Sequence, residues 1–403
     1  MKTITANIRK VHAAVWMVSA LTLCACSADL TNTTTPPEED EAAVVDAIDV
    51  SGETTRALGM SLDEFSVSVY NVKTGKLIAN KAHYAKNASG GFTSTPSWRM
   101  AATEMKAIGV SPTMGILENV TVNADDAYFD YTVPTTEQTM LKIGANLSFT
   151  KKSVNNFLYL KFVNALSLFT IKARNELKVE ETVGTGVDAQ TIEHDVTIYV
   201  KGVTLHNLQA KGRFTYKGSS TGTWARSNDT YYNYTQEFPE KIQLNTKTFV
   251  DVMDSVFVLL PQSPENSAWA PAGTDDASED DAISVADANH KVYIELRCSM
   301  TIEREGQTVY VWGGENSYSP VYFPYIKKYC PKTWNVINRQ GTYNLKFIKG
   351  EALTSEGKPI KPQTEEEGDS FENAVFITVS PTDNGDNDNV DDWEEPQETV
   401  VNL

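Results

Sequence analysis

"KVYIELRCSMTIE", residues 291–303, decides the fold class. Val292, Ile294, Leu296, Cys298, Met300 and Ile302 fall at every second position, against Tyr293, Glu295, Arg297, Thr301 and Glu303. A period of two puts alternate side chains on opposite faces, so the stretch predicts a strand with one buried face. The same period recurs in both directions along the chain. In "DEFSVSVYNVKTGK", Phe65, Val67 and Val69 alternate with Ser66, Ser68 and Tyr70; in "VTIYVKGV", Val196, Ile198 and Val200 share a face. "TYNLKFIKG" and "NAVFITVSP" repeat it near the end. Turn clusters such as "KNASGG", "KGSSTGT" and "DTYYNY" separate these runs. Helical periodicity is scarce, and "SWRMAATEMKAIG" reads as either a short helix or a strand. Serial short strands of this spacing predict an all-β protein built of β-sandwiches with antiparallel sheets.

The ends read differently from the middle. Lys2, Arg9 and Lys10 precede "VHAAVWMVSALTL", an apolar run too short to span a bilayer, which is the pattern of an export signal. It closes on "LCAC", where Leu23, Ala25 and Cys26 resemble a bacterial lipobox, with an unusual Cys24 at the −2 position; ordinary cleavage nearby is the alternative. Lipidation of Cys26 by palmitate-type acyl chains would anchor the protein, each buried methylene adding ~0.8 kcal/mol. Residues 27–56 are polar, acidic and proline-bearing, a tether unable to pack a core. Within it, "AVVDAIDV" (43–50) is apolar enough for one short strand. The chain therefore divides into a lipoprotein signal peptide (1–25), a pro-segment (26–56), an N-terminal β-sandwich (57–153), a C-terminal β-sandwich (154–381) and an acidic lead with a terminal apolar run (382–403). The polar stretch "TKKSVNNF" (150–157) marks the expected division between the sandwiches.

The net charge of −18, with no basic stripe, excludes nucleic acid as a partner. Enzyme chemistry is poorly represented. His83, His194, His206 and His290 are scattered without metal-ligand spacing, and no nucleophile elbow, phosphate-cradling loop or CxxC pair occurs. The paired acids Asp280/Asp281 and Asp391/Asp392 sit in polar runs that would not raise a carboxyl pKa for acid catalysis. "DNGDNDNVDD" offers Asp386, Asp388, Asp391 and Asp392 as oxygen ligands but departs from the EF-hand order, so a calcium site there would be weak. No cofactor is expected. Cys298 falls on the apolar face of its strand, either as an inert thiol or paired with Cys330. "TWARSNDTYYNY" gathers Trp224, Tyr231, Tyr232 and Tyr234, which either plug the end of a sandwich or stack on a glycan.

Several motifs in order resemble one family, the Bacteroidetes fimbrillins, closest to their Mfa-like branch. They are the lipobox Cys26, a tether ending in "TTRA", "FSVSVYN", the Trp-led "WRMAATEMKAIGVSP", "YFDYTVP" followed by Gln138, "LKFVNALSLFTIKA", "VFVLLPQ" (256–262) and "GTYNLKFIKG". Asn164 stands where the family usually has His. The resemblance spans essentially the whole chain. It implies two tandem transthyretin-like β-sandwich domains and a subunit of a type V pilus, carried to the cell outer membrane as a lipid-anchored precursor. It also implies cleavage by an arginine-specific surface protease, here at Arg56–Ala57, and polymerisation by donor-strand exchange into a cell-surface fimbrium. The donor implied on this chain is the C-terminal run, in which Thr399, Val401 and Leu403 alternate with Val400 and Asn402, with Trp393 as an anchor; Pro396 shortens it. The implied partners are other fimbrial subunits, the protease, the membrane before cleavage, and a host or bacterial surface receptor. Stalk and tip roles both remain open. The alternative is a permanently lipid-anchored surface protein that binds glycan or another surface protein through its loop aromatics.

Overall fold

The computed structural model describes residues 44–49, 62–349 with internal gaps that include 184–186, 217–221, 266–283 and 326–336, and 377–379. All of these fall in one unit, Ala42–Leu403. The protein is all-β, as the period-two pattern predicts. Among the described residues there are four sheets.

The first sheet runs in the order β1 (Val44–Asp49), β9 (Phe157–Asn164), β8 (Lys142–Phe149), β5 (Met105–Ser111), β2 (Glu64–Asn71), β3 (Lys76–Lys86) and β4 (Phe92–Thr95). The second is β14 (Gly222–Arg226), β13 (Lys211–Tyr216), β7 (Ala127–Thr132) and β6 (Glu118–Val122). In the third, β11 (Lys178–Val183), the long β12 (Gln190–Gln209), β18 (Tyr293–Arg304) and β19 (Gln307–Trp312) pair in that order. There β15 (Tyr231–Gln243) joins β12, and β20 (Ser319–Pro324) joins β18. The fourth is β16 (Val250–Asp251), β10 (Ser167–Asn175), β21 (Arg339–Lys349) and β22 (Ile377–Val379), with β17 (Phe257–Leu259) also on β10. Pairing is antiparallel except at β1–β9 and β10–β21, which are parallel.

Two apolar cores result. The larger gathers Phe129, Tyr131 and Phe214 of the second sheet with Ile198, Val200, Met300, Phe169, Ile171 and Tyr343 of the third and fourth. The smaller lies against one face of the first sheet and contains Phe65, Val67, Val69, Tyr84, Trp98, Met105, Leu158, Leu160 and Phe162. The opposite face of that sheet gives Ile108, Val110 and Ile143 to the larger core. Gly109 and Gly144 are cross-strand partners in β5 and β8, and the Phe162 ring lies over them. A Cβ on Gly109 would meet Phe162 Cζ at 2.7 Å, so the missing side chain is what admits the ring.

Several local expectations are revised. Strand β2 is buried on both faces, because Ser66 and Ser68 turn toward the short 3-10 turn Met114–Ile116. Ser68 donates to Met114 Sδ (3.3 Å) and accepts from Lys81 N (3.0 Å), which satisfies its hydroxyl without water. "TEMKAIG" resolves as strand β5, and "DTYYNY" is mostly the start of β15 rather than a turn. The polar stretch 150–157 contains a tight turn between β8 and β9. Thr150 N donates to Ser153 Oγ (2.8 Å), and Ser153 N donates to Thr150 Oγ1 (3.1 Å). Strand β9 joins the first sheet beside β8, while β13 pairs with β7 and β14 with β13. Cys298 is a free, buried thiol whose pKa is pushed far up by burial; Cys330 lies outside the described residues.

One ion pair fastens the second sheet. Asp130 accepts from Arg213 Nε (2.6 Å) and Nη2 (2.8 Å) and from Asn119 Nδ2 (2.7 Å). Its carboxyl is held below the usual range, first by the Arg213 hydrogen bonds. The Arg213 guanidinium also lies 4.3 Å from the Tyr128 ring centroid.

Two predictions follow from this packing. Gly109→Ala drives a methyl into Phe162 and should cost about 1–3 kcal/mol, read as a lower urea midpoint; an unchanged midpoint refutes the close-approach account. Because the folded pKa of Asp130 is depressed, its stabilisation is present above the unfolded value of ~3.9 and lost as pH falls through the folded value. Asp130→Asn should therefore lower stability at pH 7 by about 1–2 kcal/mol, discounted for the half-exposed Arg213. The two stability curves should converge in strong acid, and parallel curves would contradict the linkage.

Candidate functional site

Strand β1 lies ahead of Arg56 in the sequence and occupies an end position of the first sheet. Its only described ladder is the parallel one to β9, running from Val44↔Phe157 to Asp49↔Phe162. This register sets Val45 and Ala47 level with Leu158 and Leu160, and Val44 and Asp46 level with Phe157 and Tyr159. The other end of the sheet is β4, yet β1 and β4 lie side by side. The sheet is therefore curled until its two ends approach, with β1 in the seam.

The curl closes around one ring. Phe65 of β2 stacks on Tyr84 of β3 (centroids 5.0 Å apart, 6° between planes), meets Phe92 of β4 edge-on at 4.9 Å and Phe162 of β9 at 5.1 Å. Phe65 and Tyr84 are direct cross-strand partners, but β9 is separated from β2 by β8 and β5, so Phe162 reaches the ring only because the sheet curls. Tyr84 donates no unsatisfied group to this core, because its hydroxyl accepts from Trp98 Nε1 at 2.7 Å. Desolvation raises the Tyr84 pKa. Leu158, Leu160 and Phe162 are fully buried, whereas Phe157 and Tyr159 on the opposite face of β9 stay about half exposed.

The proposed aromatic platform divides between core and surface. Tyr234 is buried and its hydroxyl donates to Val133 O (3.2 Å), so it has no face for a sugar. Trp224 packs edge-on against Phe129 and Phe214 and donates from Nε1 to Ala165 O (2.7 Å), which makes it part of the wall between sheets. Tyr231 stacks on the exposed His290 (4.2 Å, 5°), and Tyr232 is exposed. Tyr232 and Tyr234 fall on the same face of β15 by the period of two, so position along the strand, Tyr232 near its start and Tyr234 further in, separates exposed from buried.

The other histidines each meet one carboxylate. His83 pairs with Glu64 (3.1 Å), His194 with Glu181 (2.9 Å) and His206 with Glu295 (2.9 Å), and His206 also stacks on Tyr293. Cross-strand placement makes these pairs, which is invisible in a linear sequence. No group of three metal-ligating side chains occurs among the described residues. Two quoted motifs do come together. Gln138 donates to Val258 O (2.8 Å) and accepts from Val258 N (3.0 Å), clamping the segment after β7 onto "VFVLLPQ". Cys26, Arg56, Ala57, Trp393, Thr399, Val400, Val401 and Leu403 lie outside the described residues, as do Asp386, Asp388, Asp391 and Asp392.

No protein-family model matches the chain, and no curated protein matches it. Solved structures similar to it include a fimbrial protein from Bacteroides vulgatus, with 12% identity, TM-score 0.46, and 85% of this chain and 98% of that chain covered. A protein from Parabacteroides distasonis described as a cell adhesion protein has 12% identity and TM-score 0.41, covering 84% and 96%. One from Bacteroides thetaiotaomicron described as polysaccharide binding has 10% identity and TM-score 0.35, covering 79% and 94%. The all-β fold itself rests on the strands and cores described above.

Proposed function

We propose that the chain is a structural and adhesive subunit of a type V fimbria, exported as a lipoprotein on Cys26 and activated by cleavage of Arg56–Ala57. The observation that carries this reading is the position of β1. The segment ahead of Arg56 contributes one strand, at the end of a sheet, joined by a single ladder to β9.

Such a strand is separable. It precedes the scissile bond, while every other strand of the first sheet follows it. Cutting after Arg56 turns an intramolecular ladder into an intermolecular one, and the effective concentration that holds β1 in place is lost. Departure of β1 leaves the β9 edge with unpaired N–H and C=O groups beside the core that holds Leu158, Leu160 and Phe162. An edge of that kind takes up another strand readily.

The donor in this reading is the C-terminal run of a second copy, Thr399 to Leu403, with Val400 and Val401 within it and Trp393 anchoring the approach. Each buried aliphatic side chain would contribute about 1.5–3 kcal/mol, and each ladder hydrogen bond ~1 kcal/mol net. Each subunit then gives a strand at one end and receives one at the other, a head-to-tail contact that propagates as an open filament. The acidic surface keeps the precursor soluble until that step. No catalysis is assigned to the chain.

Two experiments test the assembly. Treating the purified precursor with an arginine-specific protease should yield ladders on a denaturing gel without boiling, and Arg56→Ala should remain a single band. Identical behaviour of the two proteins removes Arg56 from the mechanism. Deleting residues 393–403 should leave cleavage intact and abolish the ladder; polymers of normal length would assign the donor strand elsewhere.

A further inference from the structure

The junction at which β12 leaves the third sheet and β13 enters the second carries a polar cluster that strand donation does not use. Arg226, at the end of β14, is exposed. Its Nε donates to Gln209 Oε1 (2.7 Å) and its Nη1 to Pro261 O (3.0 Å), both neutral acceptors. Gln209 Nε2 donates to Asn228 Oδ1 (2.8 Å), and Gln209 N donates to Gln262 Oε1 (3.2 Å). Two backbone bonds hold the frame: Ala210 N to Thr230 O (3.0 Å) and Ser227 N to Lys211 O (2.9 Å).

Arg226 differs from its counterparts. Arg174, Arg213, Arg297 and Arg304 each pair with a carboxylate, respectively Glu176, Asp130, Glu237 and Glu181. Among the described residues no carboxylate pairs with Arg226, although the chain carries a net charge of −18. Partial burial lowers its pKa, the mark of a cation short of compensation. Its plane is fixed by two hydrogen bonds, while its remaining N–H groups meet no acceptor among the described residues. A guanidinium so fixed presents the planar fork that suits a carboxylate.

An aromatic stack adjoins this fork. Gln209 and Tyr231 are direct cross-strand partners, so their side chains share one face of the sheet. Tyr231 stacks on the exposed His290, giving a flat aromatic surface beside the amides of Gln209 and Asn228. Guanidinium, amides and a ring face together are the complement of a sugar that bears a carboxylate: ring C–H groups on the aromatic face, hydroxyls on the amides, and the carboxylate on the fork. We infer that Arg226, Asn228, Gln209 and Tyr231 form a binding site for a carboxylated sugar, of the uronic-acid class, on the surface of the subunit. The site stands independently of cleavage and polymerisation.

The test uses the purified, uncleaved chain, so its outcome does not depend on assembly. Titration calorimetry with tetragalacturonate should show saturable binding, weakened roughly tenfold or more by methyl esterification of the probe or by Arg226→Gln, the loss expected for a charge-assisted hydrogen-bonded contact. Arg226→Lys should not restore it, because an ammonium lacks the fork. Should Arg226→Gln lower the thermal midpoint, the exposed Asn228→Ala, expected to weaken binding without that shift, replaces it. Four results overturn the inference: no binding by the wild type, equal binding of acid and ester, equal binding of poly-L-glutamate, or wild-type affinity in these variants. Binding that appears only after the acids of 275–281 are changed to amides also overturns it, by making that acidic stretch the partner of Arg226.

Discussion

A sheet that curls until its ends meet must put something along the seam. In this protein the constraint is set by Phe65, whose ring touches residues of β3, β4 and β9 at once. Strands β3 and β4 follow β2 in the pairing order, but β9 lies on its other side beyond β5 and β8, so the contact of Phe65 with Phe162 requires curvature, and the same curvature brings β1 and β4 near each other. Gly109 serves the same end by leaving room for Phe162. The position of β1 therefore depends on packing many residues away from it.

How much of this was legible follows from what each residue can signal. The alternation of β18 was plain because six apolar side chains at one period have no other explanation; all of them are buried. Its polar face was less legible. Tyr293 and Thr301 are buried as well, because His206 stacks on the tyrosine and neighbouring strands cover that face. Ser66 and Ser68 read as solvent-facing, since a short hydroxyl carries no sign of the partner that lets it be buried. The stretch 150–157 showed polar composition but not its local form, since the reciprocal hydrogen bonds of Thr150 and Ser153 that make it a turn leave no mark in composition.

The candidate sites show the same division. Strand β1 could be proposed from "AVVDAIDV" because it is an apolar island in a polar tether, but its parallel register on β9 belongs to the tertiary fold. The aromatic segment was visible as a cluster, yet its members divide between core and surface, with Trp224 on β14 and the tyrosines along β15. The polar residues around Arg226 gave no signal at all. Arg226 and Asn228 lie within "TWARSNDTYYNY", but Gln209 and Gln262 come from separate stretches, and a glutamine in a sequence is indistinguishable from any other surface amide.

The parallel pairing of β10 with β21 has a temporal consequence. Ser167 is matched with Arg339, and Asn175 with Phe347, so a strand near the middle of the chain awaits one from near its end. During synthesis the amino end is made first, and β10 stands with that side unpartnered until most of the polypeptide exists. Nonlocal pairings of this kind form slowly and leave apolar edges open to other chains meanwhile. The protein thus passes through an interval in which its own middle strand is a liability.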